Sequence, residues 1–290
     1  MIKNKAMRNR ADLHVHTTFS DGCLTPGEVV DKALEIGLGA VAITDHDCVE
    51  GVLPAMEAAR GKDIEVVPGV EISAASGDFE VHVLGYFIDV QDPRLADTLG
   101  KMKRNRIERL RNIIHLLRKE GMDVDESKVL GEITQGTVGR MHIARMMVES
   151  GFVRNIHDAF ENYLGDGKPC GLRHVRLDFT RAIEMIRDSG GVPVIAHPGT
   201  MGNDDHFQDY VAAGLRGVEA SHTKHRSGET DRYMEAASKY GLIVTAGSDC
   251  HGAGPGKILM GKVTSDISTV DLLREEARGI RIKSEEKRSV

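Results

Sequence analysis

Short apolar runs and amphipathic stretches alternate along most of this chain. Seven runs rich in valine, isoleucine and alanine have the length and composition of buried strands, and helical patterns separate most of them. Such alternation is typical of βα units around a parallel sheet. The predicted strands cover residues 11–16, 40–44, 64–72, 81–87, 192–196, 216–220 and 242–247, and the predicted helices cover residues 26–37, 51–60, 178–190 and 229–240.

Two segments break this rhythm. The gap between residues 72 and 81 is too short for a crossover helix, so we expect a loop there and an irregular barrel. Residues 92–177 show helical patterns only. We therefore predict an α/β barrel built from residues 1–91 and 178–290, with residues 92–177 as a helical insertion.

Composition limits the class of protein and the cellular compartment that we expect. The 290 residues are 40% apolar, which is enough for a large core, and no run of eighteen apolar residues predicts a membrane span. The four cysteines show no CxxC spacing, so we expect no disulfide framework and a reducing cytoplasm. A net charge of −6 argues against a general nucleic-acid coat, and no stable protein partner is indicated.

Metal-ligand residue types cluster where the predicted strands end. His14 and His16 are two residues apart on the first strand, so they point to one face. The end of a barrel strand is where barrel enzymes build their sites, and we expect nearly all of these side chains at the C-terminal ends of parallel strands. The full set is His14, His16, Asp21, His46, Glu71, His82, His197, Asp249 and His251.

Taken singly, each residue of this set has an ordinary explanation. A lone histidine at a strand end is usually hydrogen-bonded, and Asp47 fits a helix N-cap as well as a site residue. Six imidazoles on one rim are harder to explain, because each unsatisfied buried group costs roughly 1–3 kcal/mol. Divalent cations satisfy them together, and mixed imidazole and carboxylate ligands without thiolate suit Mn, Fe or Zn.

The motifs DLHVHTTFSDG, AITDHD, PGVEIS, HVLGYF, VIAHPG and GSDCH occur in this order between residues 12 and 251. Together they resemble the polymerase-and-histidinol-phosphatase (PHP) family of metal-dependent phosphoesterases. The resemblance implies a distorted (β/α)7 barrel that holds two to three divalent metal ions. It implies one metal on His14, His16, Glu71 and Asp249, a second on Glu71, His82 and His197, and a third on Asp21, His46 and His251.

The same resemblance implies phosphoester hydrolysis by a water that bridges two metals, held by Glu71 and Asp249. Metals roughly 3.5–4 Å apart can lower the pKa of such a water toward neutrality and direct it at phosphorus. The sequence contains no Ser-His-Asp or Cys-His arrangement that competes for this role.

A basic helix pattern runs from Lys101 to Lys119, with eight basic residues against one acid, Glu108. A solvated face is one explanation. However, RIERLRNI, GRMHIAR and ENYLGDGKP resemble the PHP phosphoesterases that act on nucleoside 3',5'-bisphosphates and short oligonucleotides. That resemblance implies a substrate-binding insertion with contacts at Arg106, Ile107, Glu108, Arg109, Arg140, Met141, His142 and Ile143.

Within this set, Arg106 and Arg109 are three residues apart on one helical face, so both are expected to converge on a second phosphate. His142 either contacts a base or lies on a helix surface. His222 and His225 follow another predicted strand and are candidates for the pocket lining. His115, His157, His174 and His206 are expected at the surface.

Three functions remain open. The first is removal of one phosphate from a small bisphosphorylated nucleotide, or trimming of short RNA from its 5' end. The second is a histidinol-phosphate or other small-metabolite phosphatase, against which the arginine-rich insertion argues. The third is a non-catalytic scaffold, and such PHP modules often lose ligands that this chain keeps.

Overall fold

The computed structural model describes residues 8–131, 136–172, 176–201, 206–252 and 258–288. His174, predicted at the surface, lies outside these residues. The described helices include none that is long and apolar enough to span a bilayer.

Seven strands form a barrel-shaped sheet. Its strands are β1 (Arg10–Val15), β2 (Ala40–Ile43), β3 (Glu65–Ser76), β4 (Phe79–Tyr86), β6 (Val192–Ile195), β7 (Gly217–His222) and β8 (Ile243–Gly247), in the spatial order β8-β7-β6-β4-β3-β2-β1. The two-residue strands β5 (Leu177–Asp178) and β9 (Ser265–Asp266) pair with β3 and β1. Each barrel strand lies within a few residues of its prediction.

The sheet closes on itself beyond its edge strands. Val15 of β1 forms a parallel bridge with Cys250, and the backbone N–H of His16 donates to the Cys250 carbonyl at 2.9 Å. The predicted distorted barrel is therefore confirmed.

One strand runs against the others, which corrects the expectation of parallel strands at the whole rim. β4 is antiparallel to both β3 and β6, whereas the other neighbours in the barrel are parallel. β3 continues to Ser76 and the chain turns back at Gly77, which has a φ of 58°. Because β4 returns along β3, the middle of β4 reaches the same edge as the ends of the parallel strands. His82, paired with Ser73, lies there.

Helices cover the outside of the barrel. The first begins at a capping box, in which Thr25 accepts from the Glu28 N–H and the Glu28 carboxylate accepts from the Thr25 N–H. It ends at Gly37, whose φ of 87° favours glycine. The barrel helices are α1 (Pro26–Ile36), α2 (Val52–Ala58), α7 (Phe179–Asp188), α8 (Phe207–Ala213), α9 (Glu229–Tyr240) and α10 (Ser268–Arg288).

Between β4 and β5 the described residues contain helices and no strand. They are α3 (Pro93–Lys119), α4 (Glu126–Gly131), α5 (Arg140–Glu149) and α6 (Ile156–Ala159), followed by a π-helical turn at Phe160–Leu164. The start of α3 packs through Leu95 and Leu99 into the barrel core. Its second half packs through Leu110 and Ile113 into a separate apolar cluster. The boundaries 92 and 177 and the substrate-binding role of this insertion stay predictions.

Candidate metal centre

Three residues at the rim have a left-handed backbone, namely Asp47 (φ 48°), His197 (φ 30°) and Asp249 (φ 53°). Aspartate and histidine are among the few non-glycine residues enriched in this region. Such a conformation costs about 1–3 kcal/mol and persists where the surrounding structure enforces it. The chain thus changes direction sharply at the strand ends that carry these side chains.

Four buried side chains form the deepest group of the rim. His14, His16, Glu71 and Asp249 each offer one ligand atom, and these atoms lie within 4.8 Å of one another. His16 Nε2 lies 3.1 Å from Asp249 Oδ1 and 3.3 Å from Glu71 Oε2. His14 Nε2 lies 3.3 Å from the same Glu71 oxygen. All four residues are at most 6% exposed.

Glu71 also belongs to a second group. Its other oxygen, Oε1, lies 2.8 Å from His82 Nδ1 and 2.9 Å from His197 Nε2, and these two nitrogens are 3.3 Å apart. Since each carboxylate oxygen faces a different set of imidazoles, Glu71 occupies the position of a bridge between the two groups.

A third group lies on the other side of His16. Asp21, His46 and His251 join His16 with ligand atoms within 4.8 Å, and His251 Nε2 lies 3.1 Å from Asp21 Oδ1. The structure therefore brings all nine predicted ligand residues together, with His16 between the first and third groups.

The donor atoms fit divalent cations. Several are buried and make no hydrogen bond with any residue that the structure describes, although unpaired buried polar groups cost roughly 1–3 kcal/mol each. A cation satisfies nitrogen and oxygen lone pairs at the same time. These atoms are His14 Nε2, His16 Nε2, Asp21 Oδ1, His46 Nδ1 and Glu71 Oε2.

The carboxylates dominate the electrostatics of the cluster. Burial alone would raise the pKa of Glu71, but His46, His82 and His14 hold that pKa well below its usual range. Burial alone would lower the pKa of His16, but Asp249 and Glu71 raise it to about 10. The carboxylates therefore favour positive charge at the neighbouring imidazoles, which protons or metal ions supply.

Glu219 orients this cluster and was missed from the sequence. Its carboxylate contacts His14 Nδ1 at 3.0 and 3.2 Å and accepts the backbone N–H of His197 at 2.8 Å. A proton on His14 Nδ1 leaves Nε2 free as a ligand, the arrangement that many metal-binding histidines use. A signal existed, because Glu219 is an acidic residue inside a buried apolar strand.

Asp249 is held by two further side chains. Lys224 Nζ lies 2.6 Å from Asp249 Oδ2, and His222 Nε2 lies 3.4 Å from the same oxygen. Burial alone would lower the pKa of Lys224, but Asp249 raises it. The ammonium group is therefore charged and sits at the edge of the cluster. His222, a candidate for the pocket lining, lies beside the cluster, and Lys224 was not singled out from the sequence.

Two side chains of the insertion donate hydrogen bonds to the loops that carry the third group. Thr137 Oγ1 donates to the His46 carbonyl at 2.7 Å, and Arg145 Nη2 donates to the Asp21 carbonyl at 2.5 Å. Both contacts involve backbone atoms of predicted ligands. The insertion therefore helps to place Asp21 and His46.

Arg106 also connects the insertion to the barrel through an ion pair with Asp47, and its contact with a second phosphate stays a prediction. Arg106 Nε donates to Asp47 Oδ2 at 2.7 Å, and Nη2 contacts the same oxygen and donates to Ser73 Oγ at 2.8 Å. Asp47 does not cap α2, whose N-cap is Gly51. Its carboxylate accepts instead from Arg106 and from the Ser73 N–H.

The other predicted substrate residues of the insertion fall into two classes. Arg109 and Arg140 are partly buried on facing helices, and Arg140 Nη1 donates to Asp166 Oδ1 at 2.7 Å. The remaining five differ in exposure and packing, and their contacts with substrate stay predictions. Ile143 and Ile107 pack in its apolar cluster, Glu108 is exposed, Met141 is half-buried, and His142 is 5% exposed.

His142 and His225 both form hydrogen bonds with backbone atoms. His142 Nδ1 accepts the Gly139 N–H at 3.1 Å, so His142 belongs to the start of α5. Burial lowers its pKa. His225 Nδ1 donates to the Ala220 carbonyl at 3.0 Å, and its Nε2 accepts from Gly199 at 3.4 Å. Both ring nitrogens of His225 are therefore engaged by backbone.

A cavity of about 340 Å³ opens beside the second group. This volume lies in the range of small-molecule sites, roughly 300–1,000 Å³. His82 and His197 line it together with Phe79, Glu80 and Asp166. A small substrate can therefore reach the buried cluster from this side.

Comparisons with known proteins agree with this geometry. The profile described as PHP domain matches residues 12–148. The 3',5'-nucleoside bisphosphate phosphatase of Chromobacterium violaceum is 35% identical over 84% of this chain and 88% of its own length. The 5'-3' exoribonuclease Rnm of Escherichia coli is 32% identical over 83% of this chain and 84% of its own. A solved structure from Bifidobacterium adolescentis, described as a metal-dependent phosphoesterase, superimposes with a TM-score of 0.85 at 29% identity, covering 91% of this chain and 94% of the other.

Proposed function

This chain belongs to the PHP family of metal-dependent phosphoesterases, and we propose that its substrate is a nucleotide, foremost a nucleoside 3',5'-bisphosphate. In this proposal the enzyme hydrolyses one phosphate monoester and also acts on the 5' ends of short RNA. The names of two relatives support this choice, since one acts on nucleoside bisphosphates and the other is a 5'-3' exoribonuclease.

We assign the metal ligands as three groups that share Glu71 and His16. The first is His14, His16, Glu71 and Asp249, and the second is Glu71, His82 and His197. The third is Asp21, His46 and His251, with His16 within reach. Two to three divalent ions of manganese, iron or zinc suit these donors.

Bound metal ions supply Lewis-acid chemistry and a nucleophile derived from water at neutral pH. Side chains of the protein hold these ions and orient the reacting groups. Glu71 and Asp249 each contribute a carboxylate to the first group, and Glu219 contacts the His14 ring nitrogen and orients the ring. Lys224 places a positive charge next to Asp249, where it can contact a phosphate oxygen bound at the cluster.

The observation that carries this proposal is the position of the cavity. Its lining combines His82 and His197 of the cluster with Phe79, which is 41% exposed at the tip of the β3–β4 hairpin. An exposed aromatic face suits a nucleobase, because base stacking on aromatic side chains contributes roughly 1–3 kcal/mol. A phosphate on the cluster and a base on Phe79 together describe a nucleotide.

A substrate panel tests the proposal. Purified protein is stripped with a chelator, reloaded separately with Mn²⁺, Fe²⁺ or Zn²⁺, and assayed with adenosine 3',5'-bisphosphate, adenosine 5'-monophosphate, histidinol phosphate and p-nitrophenyl phosphate. We expect the highest kcat/KM for the bisphosphate, and release of mononucleotides from the 5' end of a short 5'-phosphorylated RNA. A preference for histidinol phosphate contradicts the nucleotide assignment and leaves the phosphoesterase assignment intact.

A further inference from the structure

His222 is a buried histidine beside the cluster that the predicted metal ligands do not include. Its ring is fully buried, and its Nε2 makes no hydrogen bond of regular geometry with any residue that the structure describes. The same nitrogen lies 3.4 Å from Asp249 Oδ2. With His14 and Glu219, His222 also forms a further set of side chains whose ligand atoms lie within 4.8 Å of one another. His222 is therefore either an additional metal ligand or a hydrogen-bond donor to Asp249.

The backbone decides between these two roles, because it fixes the tautomer of His222. The backbone N–H of Lys224 donates to His222 Nδ1 at 3.2 Å. Since an N–H group only donates, Nδ1 must offer its lone pair, and the proton of the neutral ring is on Nε2. A ring nitrogen that carries a proton has no lone pair for a metal ion. His222 therefore presents a donor to the cluster.

His251 contacts the same aspartate with the opposite tautomer. Its Nδ1 lies 2.9 Å from the Asp249 backbone carbonyl, which only accepts, so the proton is on Nδ1. Nε2 of His251 then keeps the lone pair that the third ligand group requires. The same reasoning argues against a metal ion among His14, Glu219 and His222. His14 Nδ1 faces Glu219 with its proton when Nε2 serves the first group, and His222 Nε2 is protonated as well.

The two carboxylate oxygens of Asp249 have different neighbours. Oδ1 lies 3.1 Å from His16 Nε2 and 3.6 Å from His14 Nε2, which both belong to the first ligand group. Oδ2 lies 2.6 Å from Lys224 Nζ and 3.4 Å from His222 Nε2. The Lys224 side chain is 61% exposed, whereas the His222 ring is buried, so His222 is the fixed partner of Oδ2. Hydrogen bonds in ligand-free sites are often long and shorten once the ligand binds.

We propose that His222 is a positioning residue that donates from Nε2 to Asp249 Oδ2 and so leaves Oδ1 alone to bind a metal ion. This inference rests on the metal centre of the proposed function. An aspartate that binds through one oxygen uses a single coordination position, and catalytic metal sites keep a position open for water or substrate.

Two substitutions of His222 separate a donor from a ligand. His222→Gln keeps an N–H donor near the end of the side chain but lacks the imidazole, whereas His222→Leu lacks both. Chelator-treated proteins are titrated with Zn²⁺ in competition with a chromophoric chelator, and the ions bound at saturation are counted by mass spectrometry. We expect about ten- to a hundredfold weaker affinity in His222→Leu, affinity close to wild type in His222→Gln, and the wild-type number of ions in both. The matched control is His115→Gln, at an exposed position of α3.

A second measurement determines the tautomer without metal. Isotope-labelled, chelator-treated protein is studied by long-range proton–nitrogen correlation spectra, which distinguish a protonated ring nitrogen from an unprotonated one. The signals of His222 are those that disappear in His222→Gln. We expect an unprotonated Nδ1 and a protonated Nε2.

Each result decides between defined alternatives. Loss of one bound ion, or an equal loss of affinity in His222→Gln and His222→Leu, overturns the donor role. Wild-type affinity in His222→Leu, or a proton on Nδ1 in the metal-free protein, also overturns it. If wild type binds no metal ion, the metal centre of the proposed function fails, and the spectra of the metal-free protein still decide whether Nε2 is the donor.

Discussion

The barrel rim and the helical insertion are both rich in charged side chains, but they differ in where the unpaired atoms lie. At the rim, the unpaired nitrogens and oxygens converge on one buried cluster, and outer residues such as Glu219 orient them. In the insertion, Arg106 is already bound to Asp47 and Arg140 to Asp166. The rim therefore collects side chains that could hold a metal ion, whereas these two arginines of the insertion form ion pairs within the protein. Four predictions, ordered from the largest expected effect to the smallest, test this contrast.

Glu71→Gln should have the largest effect. Both Glu71 oxygens face imidazoles, so its loss disturbs the first and second ligand groups at once. We expect phosphoesterase turnover below detection and reduced metal content, measured by a continuous phosphate assay and by mass spectrometry of bound metals. Glu57→Gln, at an exposed position of α2, is the control. Wild-type turnover in Glu71→Gln contradicts the metal centre.

Arg106→Met should act on stability. The pair with Asp47 is buried, and removal of one partner of a buried ion pair typically costs about 3–5 kcal/mol. We expect a loss of that order in the free energy of unfolding, measured by urea denaturation. The double variant Arg106→Met/Asp47→Asn should regain part of it, because no buried charge is left alone. Unchanged stability combined with selective loss of bisphosphate turnover shows instead that Arg106 binds substrate.

Glu219→Gln should lower the affinity of the site for metal ions by loosening the His14 ring. A glutamine cannot hold the His14 Nδ1 proton as strongly, and such outer partners are worth about ten- to a hundredfold in metal affinity or activity. The measurement is a titration of chelator-treated protein with Zn²⁺ in competition with a chromophoric chelator. Equal affinity in Glu219→Gln and wild type rejects the orienting role.

The dependence of metal binding on pH should be the smallest effect. Burial alone would lower the pKa of both His82 and His16. Glu71 and Glu80 raise the pKa of His82 to about 10, and Asp249 and Glu71 raise the pKa of His16 to about 10. A raised pKa stabilises the metal-free fold below pH 6.5, and this contribution is lost as pH rises through 10. Metal ions require the deprotonated imidazoles, so the affinity of the site for metal should rise with pH.

We therefore expect metal to raise the unfolding temperature more at pH 9 than at pH 7. Calorimetric scans of chelator-treated and metal-loaded protein at both values measure this difference. A larger gain at pH 7 has the wrong sign and contradicts protonated imidazoles in the metal-free cluster.

Much of the barrel and its rim could be predicted from the sequence. The alternation of apolar positions gave the strands, and the two-residue spacing of His14 and His16 placed both on one face. The reversal of β4 was not predictable in this way, because an apolar run carries no information about strand direction. The short gap before residue 81 signalled only an irregularity there.

The insertion was harder to interpret. The three-residue spacing of Arg106 and Arg109 predicts that they share a helical face. It does not predict which acidic residue of a neighbouring element pairs with either arginine. Asp47 is 59 residues away in sequence from its partner Arg106. Pairs that depend on tertiary contacts cannot be recognised from local charge.

The left-handed backbone at the rim restricts which substitutions this site accepts during evolution. At His197 and Asp249 an alanine loses the donor atom and also meets an unfavourable conformation, so it is penalised twice. Glycine and asparagine adopt that conformation readily. Homologous lineages that abandon metal-dependent chemistry should therefore accumulate glycine or asparagine at these two positions first. An alignment of such homologues would still show this backbone preference at the two positions after selection for catalysis has ended.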